Sequence, residues 1–172
     1  MPNTKAVGVA FSDPELTAGT TITGGTLDST TLVNSDVRSG FSASQQGATI
    51  ATTGNSDVVV IAPAAGVLSA AWFSGTDGLA ANNTDYITFS ITNLGTSGSG
   101  TAAMLAATDA NTTKATGGTA LTANAQRVLS LNGTAANLVV AAGDRLRIRA
   151  AATGTLANTV TFPVYALNFT VA

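Results

Sequence analysis

From residue 56 onward, apolar and polar positions alternate with a period near two, and Gly, Asn, Asp or Pro interrupts the alternation at short intervals. The cleanest stretch is Asp85 to Leu94, where Ile87, Phe89 and Ile91 take one parity and Tyr86, Thr88, Ser90 and Thr92 the other. That pattern predicts a strand with one buried face. Asp57 to Ile61 is β-branched, Pro63 to Gly66 reads as a turn and Val67 to Phe73 as a second strand, so together they predict a hairpin. Trp72 and Phe73 are neighbours and must face opposite sides, so one is expected in the core and the other is a candidate for covering an intersubunit contact, with a sugar-stacking Trp72 as the alternative.

Further on, the Gly95 to Gly100 loop introduces Thr101 to Ala107, read as a strand although Ala, Met and Leu also suit a helix. Turns at Gly117-Gly118 and Asn132-Gly133 separate strands at Gln126 to Leu131 and Asn137 to Ala141. In Arg145 to Ala151, Leu146 and Ile148 alternate with Arg145, Arg147 and Arg149, which puts the three arginines on one outward face. In Asn158 to Val171, Phe162 and Val164 share one parity and Tyr165, Leu167, Phe169 and Val171 the other, so a bulge is expected near Pro163.

About eight short strands with no amphipathic helix predict an all-β fold, an antiparallel β-sandwich of jelly-roll type. A stretch rich in Ser, Gln, Gly and Thr, residues 41 to 55, marks where the pattern changes. It divides an N-terminal arm and oligomerising β segment, residues 1–40, from a sandwich domain, residues 41–172. In Thr21 to Gly40, Ile22, Leu27, Leu32 and Val37 recur at five-residue steps, which suits an extended arm carrying a short wound β segment. One copy of it is too short and polar to bury a core, whereas several copies wound together would bury those four side chains. They are candidates for an oligomer seam, with packing on the chain's own sandwich as the other reading.

Composition sharpens this picture. Charged residues are 9% of the chain, against roughly 25% in ordinary globular domains, so Thr, Ser, Asn, Gly and Ala must cover most of the surface. A surface so poor in charge favours an assembled state. Seven basic residues against nine acidic ones give a net charge of -2, with no basic tract for phosphates, so nucleic acid is not an expected partner. With neither Cys nor His, thiol nucleophiles, the usual zinc ligands and the commonest neutral-pH base are missing. No apolar run reaches the ~18 residues of a membrane helix, and the first ten residues lack the apolar core of a secretory leader. The expectation is a chain made in the cytoplasm that is not an enzyme, needs no cofactor and does not enter a membrane.

Few residues stand out as chemistry. Arg145, Arg147 and Arg149 hold three of the seven basic side chains on one strand face and are the candidate partner contact, the plainer reading being charges that discourage edge pairing. Asp77, Asn82, Asn83 and Asp85 offer oxygens within one loop but lack calcium-loop spacing and read as turn chemistry. Glu15 is the only glutamate, so paired carboxylates of a glycosidase have little support.

The segment ITGGTLDSTTL, residues 22–32, resembles stem segments of trimeric fibre and head proteins of tailed bacteriophages. VVVIAPAAGVLSAAWF (58–73), ITFSITNLGTSGSG (87–100) and VAAGDRLRIRAAATGT (140–155) are similar to jelly-roll capsid decoration, or cement, proteins of those phages. The resemblance implies a homotrimeric structural protein on the outer surface of the virion. It would hold neighbouring major capsid protein subunits together, with the arm Met1 to Leu16 or the trimer base on the lattice. An alternative is a phage fibre or receptor-binding protein whose sandwich holds host glycans.

Overall fold

The computed structural model describes residues 40–170. The candidate seam residues Ile22, Leu27, Leu32 and Val37 and the arm Met1 to Leu16 lie outside the described residues. Among the described residues nine strands occur in chain order: β1 Phe41–Gln46, β2 Asn55–Ile61, β3 Gly66–Ser74, β4 Tyr86–Asn93, β5 Ala102–Ala103, β6 Arg127–Leu129, β7 Val139–Val140, β8 Arg145–Thr153 and β9 Val164–Thr170. Helical structure among the described residues is limited to short 3-10 turns at Asp109–Asn111 and Ala135–Leu138.

All pairings between strands are antiparallel. One sheet runs β1-β9-β3-β6, with β7 pairing the other end of β3, and the second runs β2-β8-β4-β5. With β6 and β7 taken as one interrupted strand, the first half of the chain pairs back along the second: β1 with β9, β2 with β8, β3 with β6 and β7, β4 with β5. A long antiparallel ribbon rolled up in this way is the jelly-roll order, and the predicted all-β sandwich is what forms.

Alternation builds the core between the sheets. Ile87, Phe89 and Ile91 of β4 and Leu146, Ile148 and Ala150 of β8 are buried against Leu68, Ala71 and Phe73 of β3 and Tyr165, Leu167 and Phe169 of β9. Phe73 bridges the two layers, its ring 4.7 Å from Phe89 and 5.4 Å from Tyr165. Burial pushes the Tyr165 phenol well above its usual range, and its hydroxyl has no protein partner.

Five sequence expectations change, one of them the strand at Asn137 to Ala141, of which only Val139–Val140 is strand while Asn137 and Leu138 end a 3-10 turn. β2 and β3 do not form a hairpin: β2 pairs with β8, β3 pairs with β9, and Pro63 to Gly66 carries the chain from one sheet to the other. Local turn signals are the same for a hairpin and a sheet crossover, which is why they mislead. Thr101 to Ala107 contributes only the two-residue β5. The polar stretch at residues 41 to 46 is itself a strand. The expected bulge near Pro163 is instead a break, with Phe162 at φ 47 in the left-handed region, while the sheet's register shift falls between Leu68 and Ala70 on β3.

Two polar clips hold the long excursion between β4 and β6. Arg127 turns its guanidinium inward and donates to the carbonyls of Thr119 (2.8 Å), Ala110 (2.9 Å) and Thr112 (2.6 Å), with its head 5.2 Å from the Phe89 ring centroid. Burial lowers its pKa. Asn111, buried, donates to Ala106 and Ser130 carbonyls and accepts from the Ser130 N–H, all at 2.8 Å. Such satisfied networks give an otherwise irregular segment one defined path.

Candidate functional site

β8 lies between β2 and β4, so its outward residues occupy the middle of the second sheet's outer face. Arg145, Arg147 and Arg149 all point there, as their alternation predicts. Across the β2–β8 ladder, Ile61 stands opposite Arg145, Val59 opposite Arg147 and Asp57 opposite Arg149. On the other side, Thr92 is level with Arg147 and Ser90 with Arg149.

The three arginines are not equivalent. Arg149 donates through Nε to Asp57 Oδ1 at 2.7 Å and through Nη2 to Oδ2 at 2.6 Å, a two-pronged pair. The hydrogen bond to Arg149 holds the Asp57 carboxyl below the usual carboxylate range; burial opposes it, and the charges of Arg149 and then Arg147 add to the lowering. The same bond raises Arg149. Arg145 and Arg147 have no carboxylate partner among the described residues. Arg145 is exposed, its guanidinium beside Gly98; Arg147 is half-buried, with an Nε that is covered and unbonded.

Next to these two cations, Val59 is 49% and Ile61 63% exposed. Their outward direction was hidden within the apolar run VVVI, although they share the parity of Asp57, and that parity is the signal that finds them. Two arginines without carboxylate partners among the described residues thus stand beside two exposed aliphatic side chains on one sheet face.

Beyond β4 the same face sinks into a groove of about 340 Å³, lined by Tyr86, Thr88, Ser90 and Thr92 and by the segment from Ala103 to Lys114. Asp109 is its one carboxylate and is bound to Lys114 Nζ at 2.8 Å, which raises the lysine. Lys114 also lies 5.0 Å from the Tyr86 ring centroid. The groove thus offers hydroxyls and one aromatic surface, with its carboxylate already engaged.

No protein-family model, curated protein or solved structure matches the chain. The fold and the faces of its sheets therefore carry the functional argument.

The loop oxygens of Asp77, Asn82, Asn83 and Asp85 are used within the chain. Asn82 Oδ1 accepts from the N–H groups of Thr84 and Asp85, and Asn83 Oδ1 from Thr116 N–H. Asp77 accepts from Thr161 N–H at 2.8 Å, and Asp85 from Thr155 N–H at 2.9 Å. Gly154, at φ 69, leaves room for the Asp85 carboxylate, since a Cβ there would overlap Oδ1. No group of three or more His, Cys, Asp or Glu with metal-site geometry occurs among the described residues. Of the Trp72 and Phe73 pair, Phe73 is core and Trp72 is half-buried on the outer face of the first sheet.

Proposed function

We propose that this chain is a structural virion protein, a homotrimeric decoration protein that binds the outside of a tailed-phage capsid and stabilises contacts between major capsid protein subunits. The observation that carries the reading is the outer face of the β2-β8-β4-β5 sheet, where Arg145 and Arg147, without carboxylate partners, stand beside exposed Val59 and Ile61. Three arginines against one aspartate leave that face at +2 in a chain of net charge -2, which suits an acidic protein surface. The jelly-roll order and the low charge of the whole chain agree with a role in which burial against other proteins is the working state. The decisive experiment mixes the full chain with expanded, undecorated heads of tailed phages and measures co-sedimentation and head stability to heat. Saturable binding that raises head stability supports the reading; no binding to any such head rejects it.

A second reading has one observation in its favour. The groove over β4, with Tyr86 and a row of Thr and Ser hydroxyls, suits a sugar ring stacked on an aromatic face. In that case the chain is a receptor-binding protein for host glycans. Glycan-array binding lost in Tyr86→Ala would favour it over the capsid reading.

A further inference from the structure

The outer face of the β1-β9-β3-β6 sheet has an unusual chemistry. Arg127 is the only charged residue in that sheet's five strands, and its guanidinium is turned inward onto three carbonyls. The whole outer face is therefore free of charge. At its centre Trp72 lies between Val128 on one neighbour and Ala166 on the other. Val164 and the facing pair Val67 and Val139 extend the patch towards its two ends. Val128 is 67% exposed, more than any other large hydrophobic side chain among the described residues.

Just before β9 stands a second unusual feature. Phe162 is 63% exposed and its backbone is held at φ 47, in the left-handed region that aromatic residues rarely adopt. An exposed aromatic on a strained backbone lowers the stability of an isolated chain, and such strain concentrates where a surface is used.

We infer that this uncharged face, with Phe162 at its margin, is where a second copy of the same chain packs. The inference rests on the self-assembly half of the reading above and not on its capsid half. Charge selects the occupant. Face-to-face pairing through the arginine sheet would bring +2 against +2, whereas the neutral sheet meets a copy of this charge-poor chain with no like-charge repulsion. A highly charged partner would lose hydration on this face and find nothing there to pair with.

The size fits as well. Four strand lanes by seven residues give roughly 19 Å by 24 Å, a flat area of about 450 Å² per copy. Two such areas approach the ~1,000 Å² at which specific interfaces begin, and accessible surface exceeds flat area because it follows the side chains. In a ring of three, the face of one copy would cover a different surface of the next, since only twofold contacts are self-matching.

The chain's only tryptophan reports on the face directly. The experiment uses the full chain and follows light-scattering mass and acrylamide quenching of Trp72 over a dilution series, for wild type, Val128→Lys and Val164→Lys. The expected result is an oligomer whose Trp72 is shielded. Dilution or either lysine substitution would lower the mass towards one chain and raise quenching at least twofold. Val128 and Val164 are both exposed in the isolated chain, so lysine is tolerated there, and an unchanged β-sheet circular dichroism spectrum verifies folding. The inference is overturned if the wild type is a monomer, if both lysine variants keep the oligomer mass, or if the mass falls without any change in Trp72 quenching. An oligomer that behaves as expected yet binds no phage head would sustain the inference and reject the capsid reading.

Discussion

The two sheets of the sandwich have similar inner faces and contrasting outer ones. Inside, both are lined with Leu, Ile, Val, Phe and Ala. Outside, the β2-β8-β4-β5 sheet carries Asp57, Arg145, Arg147 and Arg149, and the β1-β9-β3-β6 sheet carries no charge. One fold thus presents two outer surfaces of different chemistry. Inner faces follow from the need for a core, whereas outer faces are free to differ and so carry the information about partners.

The largest effect is expected from reversing the charged face. On the proposed capsid role, Arg145→Glu with Arg147→Glu would convert two attractive contacts into repulsive ones. At ~2 kcal/mol for each charge pair desolvated at an interface, affinity for phage heads should fall by about a thousandfold. Stability should change by less than ~1 kcal/mol, because neither arginine has a carboxylate partner among the described residues. Binding by co-sedimentation and urea unfolding of the same variant separate the two effects. Unchanged affinity would remove this face from the functional argument.

Arginine also serves the neutral sheet, but from within. Arg127→Met would keep the apolar stem and leave three carbonyls without their donor. Losing those charge-assisted bonds should destabilise the chain by about 2–4 kcal/mol. Urea unfolding measures this directly. The contrast with Arg145 and Arg147 is the point: an outward arginine should move affinity and an inward one stability. A loss below ~1 kcal/mol would mean that the excursion between β4 and β6 holds its path without the clip.

How far the sequence makes these faces legible depends on whether a pairing is local. The buried parity of Ile87, Phe89 and Ile91 and the outward parity of the arginines are properties of single strands and read directly. The partner of β2 is not a local property, since Asp57 meets Arg149 across 92 positions, so the Pro63 to Gly66 turn reads as a hairpin. β1 is illegible for another reason: at this edge of the sheet only Phe41 and Ala43 face the core, among polar neighbours. Arg127 shares the parity of Leu129 and Leu131, a signal for an inward arginine, but its three acceptors lie in irregular backbone with no periodic pattern. The neutral face is legible only once the sheet order is known, because it is assembled from five separate strands, none of them distinctive alone.

A smaller effect should come from the margin of the neutral face. Phe162→Gly removes the left-handed strain from a side chain that is already mostly exposed, so the isolated chain should gain about 1 kcal/mol in urea unfolding. If Phe162 supports packing between copies, the same variant should also dissociate at a higher concentration. Stability and self-association would then move in opposite directions, which a purely structural role for Phe162 does not produce.

The smallest effect concerns the one ion pair on the charged face. The Asp57 carboxyl has a pKa below its ordinary value because Arg149 donates to it. The folded chain therefore takes up this proton at lower pH than the unfolded chain does. The pair's contribution is complete above the unfolded carboxylate value, near pH 4, and is lost as pH falls through the lower folded value. Arg149 is raised from an already high pKa and stays charged throughout this window. Both side chains are about one-third exposed, so solvent screening limits the contribution to under ~1 kcal/mol. Asp57→Asn should thus cost a few tenths of a kcal/mol at pH 7 and progressively less as pH falls below the unfolded carboxylate value, flattening the acid limb of the stability curve. Urea midpoints from pH 2 to 7 measure it. If Asp57→Asn instead runs parallel to wild type at every pH, the ion pair adds nothing to folding, and Asp57 would serve only to hold Arg149 in place on the face.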